Sequence, residues 1–132
     1  MGGLPAGRGP LAGATLYMVE VRAADWQRLC AFYGDTLGLP RRMRDADRLF
    51  AMYGSREPYV AVVGRGAADS GRSRVVMDFV VDDLDAVLRE LEARGVLPAS
   101  GPTSSPEGYR LARIADPEGN EIHLFEWHPA RA

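Results

Sequence analysis

A strand that runs into a capped helix occurs twice in this chain, at one constant spacing. Residues 16–22 alternate, with Tyr17, Val19 and Val21 on one face and Met18, Glu20 and Arg22 on the other. Asp25 is placed to cap a helix whose Trp26, Leu29, Cys30 and Tyr33 fall at i, i+3, i+4 and i+7, and Gly38 with Pro40 ends it. One shift carries those four residues onto Leu84, Val87, Leu88 and Leu91, Asp25 onto Asp83, and Glu20 onto Asp78. The second strand is then 75–81, and its helix stops near Gly95. The chain reads as an internal duplication.

Further strand material follows each helix, at 41–44, 49–53 and 59–63 in the first half and at 97–100, 109–115 and 121–127 in the second. Each half is therefore a β-α-β-β-β module, and the fold class is α+β. A small sheet with one helix leaves a whole sheet face uncovered, so two such modules must share a surface. The expected division is a disordered N-terminal arm over 1–14, a first module over 15–64, a linker over 65–74, a second module over 75–128 and a tail over 129–132. Gly, Ala, Ser, Asp and Arg dominate the linker, as in flexible connections.

The last strand is announced by a turn with a stated mechanism. In Asp116-Pro117-Glu118-Gly119-Asn120, Pro117 presets one turn dihedral, Gly119 and Asn120 tolerate positive φ, and the Asp116 side chain can hold backbone N–H groups further on. Alternation then sends Ile122 and Leu124 to one face and Glu121, His123 and Phe125 to the other.

Asp-Pro-Glu-Gly-Asn-Glu-Ile-His-Leu-Phe-Glu over residues 116–126 resembles the last hairpin of the glyoxalase, bleomycin-resistance and extradiol-dioxygenase superfamily, the vicinal oxygen chelate fold. Phe32-Tyr33 with Leu37-Gly38-Leu39, and Phe79-Val80-Val81-Asp82-Asp83-Leu84, resemble other segments of it. The resemblance implies paired modules whose curved mixed sheet encloses a cleft, a small-molecule ligand, and a homodimer. It also implies metal ligands at Met18, Val76, His123 and a position near Ala61, and an Arg at Arg22 that holds a substrate carboxylate. Three of the four ligand positions are apolar here, and a thioether with two aliphatic side chains cannot hold a hard divalent cation. The inherited metal site is therefore expected to be absent. A shifted site of Glu20, Asp78 and His123 would suit iron, manganese or zinc.

The cleft face is expected to carry Met18, Glu20, Arg22, Val76, Asp78, His123 and Phe125 as ligand-binding residues. Three functions remain open from the residues: a metal-free binding protein of the bleomycin-resistance kind, a metal-dependent lyase, isomerase or dioxygenase, and a metal-free acid–base enzyme with Glu20 or Asp78 as the catalytic group. The plainer alternatives are that Glu20 pairs with Arg22 and does nothing more, and that His123 is a hydrogen-bonded interior histidine.

Composition removes other classes. A formal net charge of -2 gives no footing for nucleic acid or an anionic membrane surface. The Arg41-Arg42-Met43-Arg44 run has no aromatic platform and reads as a solvated hairpin. Cys30 stands alone, which excludes an internal disulfide or thiolate cluster and fits a cytoplasmic setting. No lysine occurs, so Schiff-base chemistry and a P-loop lysine are out.

Overall fold

The structure, a computed structural model, describes residues 8–64 and 74–128. The first half contains β1 (Thr15–Ala23), α1 (Trp26–Ala31), a π-helical turn (Phe32–Thr36), β2 (Arg41–Asp45), β3 (Phe50–Tyr53) and β4 (Tyr59–Gly64). The second contains β5 (Val75–Val80), α2 (Leu84–Ala93), β6 (Ser100–Ser105), β7 (Tyr109–Ala115) and β8 (Glu121–Trp127). All eight strands form one mixed sheet in the order β2-β3-β4-β1-β5-β8-β7-β6.

The duplication is visible in that order. In each half the first strand lies parallel to the last, β1 beside β4 and β5 beside β8, and the two halves meet in the antiparallel pair β1–β5. The sheet curls until its ends touch: Arg48, in the turn after β2, donates from Nη1 to Glu107 Oε2 at 2.6 Å, in the turn after β6. This is the expected α+β architecture.

Each helix starts where its cap dictates. Asp25 Oδ1 accepts the Arg28 N–H at 3.2 Å, and Asp83 Oδ1 accepts the Ala86 N–H at 3.1 Å, which satisfies donors left orphaned in a first helical turn. Under α1 lie Ala23, Trp26, Cys30, Ala51, Tyr53 and Val62; under α2 lie Val81, Leu84, Leu91, Ala112, Ile114 and Leu124. Trp26 fills the place that Leu84 fills in the other half, and its Nε1–H donates to the Val62 carbonyl at 2.9 Å. Buried Cys30 serves as a small apolar residue in the first cluster. Among the described residues no helix is long and apolar enough to cross a membrane.

Three features differ from the sequence reading. The strand read at 97–100 is instead β6 at Ser100–Ser105, an edge strand paired only with β7. An edge tolerates Pro102, which has no N–H to donate, and a register shift between Ser100 and Thr103 absorbs the irregularity. A second register shift, between Leu16 and Met18, breaks the alternation at Tyr17 and sends its ring to the face of Phe125, with centroids 5.4 Å apart. Finally, residues 8–14, placed in a free arm on composition, make a turn that lays Leu11 and Ala14 against the α2 cluster. Residues 1–7, the linker as far as residue 73 and the tail 129–132 lie outside the described residues.

Candidate functional site

The face of the sheet turned away from both helices carries a buried polar centre built at the seam of the two halves. Glu20 comes from β1, Asp78 from β5 and His123 from β8, three strands that are neighbours in the sheet. Register sets Met18 beside Asp78, Asp78 beside His123, and Glu20 between Ala61 and Val76. His123 Nδ1 lies 2.8 Å from Asp78 Oδ1 and 3.3 Å from Glu20 Oε2. One donor atom from each of the three residues falls within 4.8 Å of the others.

A fourth group completes the centre. Glu121 Oε2 lies 2.6 Å from His123 Nε2, accepts from Arg22 Nη2 at 3.0 Å, and lies 3.5 Å from Arg113 Nε. The two ring nitrogens therefore face opposite partners, Nδ1 the carboxylates of Glu20 and Asp78 and Nε2 that of Glu121. The side chains of Glu20, Asp78, His123, Arg22 and Glu121 are 4–12% exposed, and the Asp78 Oδ2 atom is buried without a hydrogen-bond partner among the described residues.

Protonation follows from burial and neighbours. Burial, with the adjacent Glu20 carboxylate, pushes Asp78 up to about 8 against the pull of His123. Burial would also raise Glu20, but hydrogen bonds from His123 and Asp78 outweigh it and hold Glu20 below the ordinary range. Burial works against the His123 charge, yet Asp78 and Glu20 together push its pKa up to about 10. Glu121 is lowered because His123 and Arg22 overcome its own burial. At neutral pH Asp78 keeps its proton, Glu20 and Glu121 are ionised, and His123 is an imidazolium. Two carboxylates at one site divide in this way because both charges cannot be buried together.

Beyond the polar centre the same face is aromatic. Phe125 packs edge-to-face on Tyr17, Tyr109 and Trp127, with centroids 5.4, 5.9 and 5.1 Å away, and Tyr17 continues to Tyr59 at 5.6 Å. Arg42 stacks over Tyr59 at 4.9 Å.

A family model described as a glyoxalase-like domain matches residues 18–125, running from Met18 on β1 to Phe125 on β8. The chain belongs to the glyoxalase-like family. Its sheet is that of the vicinal oxygen chelate superfamily. Similar solved structures include a glyoxalase/bleomycin resistance protein/dioxygenase superfamily member from Vibrio splendidus 12B01, with a TM-score of 0.67 and 19% identity over 85% of this chain and 99% of that one. They also include methylmalonyl-CoA epimerase from Mycobacterium tuberculosis, with a TM-score of 0.66 and 22% identity over 89% of this chain and 91% of that one. At these identities the likeness concerns the fold alone. The uncharacterised protein YraH of Bacillus subtilis strain 168 is 25% identical over 84% of this chain and 97% of its own length.

In this glyoxalase-like protein the residues named from sequence separate into two groups. Glu20, Asp78 and His123 converge; Met18 and Val76 adjoin them in register and bring no polar donor. Phe125 stands apart in the aromatic half. Arg22, expected to pair with Glu20 or to hold a ligand carboxylate, forms an ion pair with Glu121. Glu121 was not singled out from sequence. The available signal was its place two residues before His123 on one strand, which alternation puts on the same face.

The donor set fits a divalent cation. An imidazole nitrogen and two carboxylates are ligands that iron, manganese and zinc accept, and Asp78 Oδ2, buried without a hydrogen-bond partner among the described residues, is an oxygen that a cation would engage in exchange for the carboxyl proton. The apolar Met18, Val76 and Ala61 stand at the positions the resemblance implied, whereas this set keeps His123 and takes Glu20 and Asp78, each two residues further along its strand.

Proposed function

We propose that this glyoxalase-like protein acts on a small organic molecule over the face of Glu20, Asp78 and His123, and that these three residues hold a divalent cation there, iron, manganese or zinc. The observation that carries the reading is the convergence of three donor atoms from three strands to within 4.8 Å of one another, one of them from Asp78, whose Oδ2 is buried without a partner among the described residues. Such a cation, when bound, polarises a ligand oxygen and supports lyase, isomerase or dioxygenase chemistry. His123 would offer Nδ1, with its other nitrogen engaged by Glu121, and Glu20 and Asp78 would offer carboxylate oxygens. The side chains of the centre are 4–12% exposed, and this burial strengthens the charge interactions within it.

The test is calorimetric titration of metal-stripped protein with Mn²⁺, Fe²⁺ and Zn²⁺. About one equivalent bound, weakened tenfold or more in Asp78→Asn, is expected. No binding of any of the three would overturn the reading.

A second reading rests on the split protonation of the two carboxylates. Neighbouring acids whose environments push their pKa values apart are suited to serve as acid and base, here protonated Asp78 and ionised Glu20. A pH–rate profile altered by Glu20→Gln in metal-free protein would support it, and activity that requires added metal would exclude it. We further propose a homodimer, since β2 and β6 each pair on one side only and leave edge backbone groups to be covered. Light scattering that shows a monomer at high micromolar concentration would refute this.

A further inference from the structure

We infer that Glu121 is the positioning residue of the site: its carboxylate accepts a hydrogen bond from the Nε2–H of His123 and thereby turns Nδ1 toward Asp78 and Glu20. Where metal is concerned, this rests on the cation reading above; where the ring is concerned, it does not.

Alternate strand residues normally stand side by side, so a 2.6 Å contact between Glu121 and His123 requires the glutamate to lean along β8. Two guanidinium groups hold it there. Arg22 reaches over from β1, two strands away in the sheet, and Arg113 comes from β7, where it lies directly opposite His123 in register. The carboxylate is thus gripped from both flanks, with its side chain 12% exposed.

The consequence falls on the imidazole. When Glu121 holds Nε2 at 2.6 Å, the other ring nitrogen, Nδ1, is turned to the opposite side of the imidazole. Nδ1 is the atom that faces both Asp78 and Glu20. Without Glu121 the ring loses its Nε2 partner, and rotation about the Cβ–Cγ bond can present carbon atoms to the two carboxylates. The Glu121 contact therefore selects the donor atom, and the arginines select the orientation of Glu121.

The test uses the full chain labelled with ¹⁵N in its histidine rings, which number two, His123 and His128. Three variants are compared with the wild type. Glu121→Gln keeps an acceptor of the same reach, Glu121→Asp keeps the charge for Arg22 and Arg113 but shortens the reach, and Glu121→Ala removes both. The wild type is expected to show a slowly exchanging low-field Nε2–H proton from His123. Glu121→Gln should retain it, while Glu121→Asp and Glu121→Ala should lose it with the backbone amide spectrum still folded. In the same proteins Zn²⁺ affinity should fall about 10–100-fold for Glu121→Ala and change little for Glu121→Gln. A ring signal unchanged in folded Glu121→Asp would overturn the inference. A wild type that shows the signal but binds no Zn²⁺ would uphold the positioning role and overturn the cation reading instead.

Discussion

Asp78 and His123 face each other across the parallel pair β5–β8, with His123 Nδ1 2.8 Å from Asp78 Oδ1. Glu20 closes the group from β1 of the other half, and Glu20 and Asp78 are the same position of the two repeats. The polar centre thus sits where the repeats join. A residue that one module could not bury alone becomes, after pairing, one of two carboxylates on one imidazole.

The metal-free protein is expected to lose stability as pH rises. The His123 pKa is raised from 6.5 to about 10, so its contribution is complete below pH 6.5 and disappears on the way to 10. Asp78 is raised from 3.8 to about 8, and its contribution likewise declines with rising pH, over the interval up to 8. Urea midpoints should therefore fall between pH 6.5 and 10. A flat profile over that range would show that the cluster is not charged as described.

Asp78→Asn isolates one of those two groups. It removes a buried carboxyl that would otherwise have to ionise, so above pH 8 the variant should be more stable than the wild type when both are metal-free. The fall in urea midpoint up to pH 8 should become shallower in the variant. A variant less stable than the wild type at pH 9 contradicts this.

Cation affinity should run the opposite way with pH. Binding through His123 Nδ1 requires loss of a ring proton, so affinity is expected to climb as pH approaches the His123 value of about 10. Titrations at pH 6 and pH 8 in non-coordinating buffers check it. Equal affinity at both would exclude Nδ1 as a ligand.

The start of α2 is held from outside the helix as well as from within. Glu126, on the helix-facing side of β8, accepts the Leu84 N–H at 2.7 Å while Asp83 takes that of Ala86. Glu126→Ala should cost about 0.5–2 kcal/mol, the usual loss for a cap. Leu84→Ala, at a fully buried side chain, should cost about 2–5 kcal/mol. Both are read from urea unfolding at pH 6.

Much of the fold is legible in the sequence because it is written twice. The spacing of Trp26, Leu29, Cys30 and Tyr33 recurs in Leu84, Val87, Leu88 and Leu91, and the caps Asp25 and Asp83 do what their type and place require. The turn at Asp116 behaves likewise: its Oδ1 accepts the Glu118 and Asn120 N–H groups at 2.9 Å, and Gly119 takes the positive φ. Glu20, Asp78 and His123 could be placed on one face because period-two alternation holds through β5 and β8.

What alternation could not supply is whatever breaks it or lies across it. Tyr17 changes face at a register shift, and nothing in the residues 15–18 marks the bulge. Ser100–Ser105 has no strand-forming composition and is held as a strand by β7 alone. The hold of Arg22 on Glu121 spans two strands, so it depends on sheet order and side-chain reach, neither of which is a local property of sequence.

The central claim is tested most directly by anomalous diffraction from crystals of the protein grown with Mn²⁺ or Zn²⁺. One peak is expected between Glu20, Asp78 and His123 Nδ1, absent in His123→Ala. A peak beside Met18 and Val76 in place of it, or an empty centre at saturating metal, would contradict the claim.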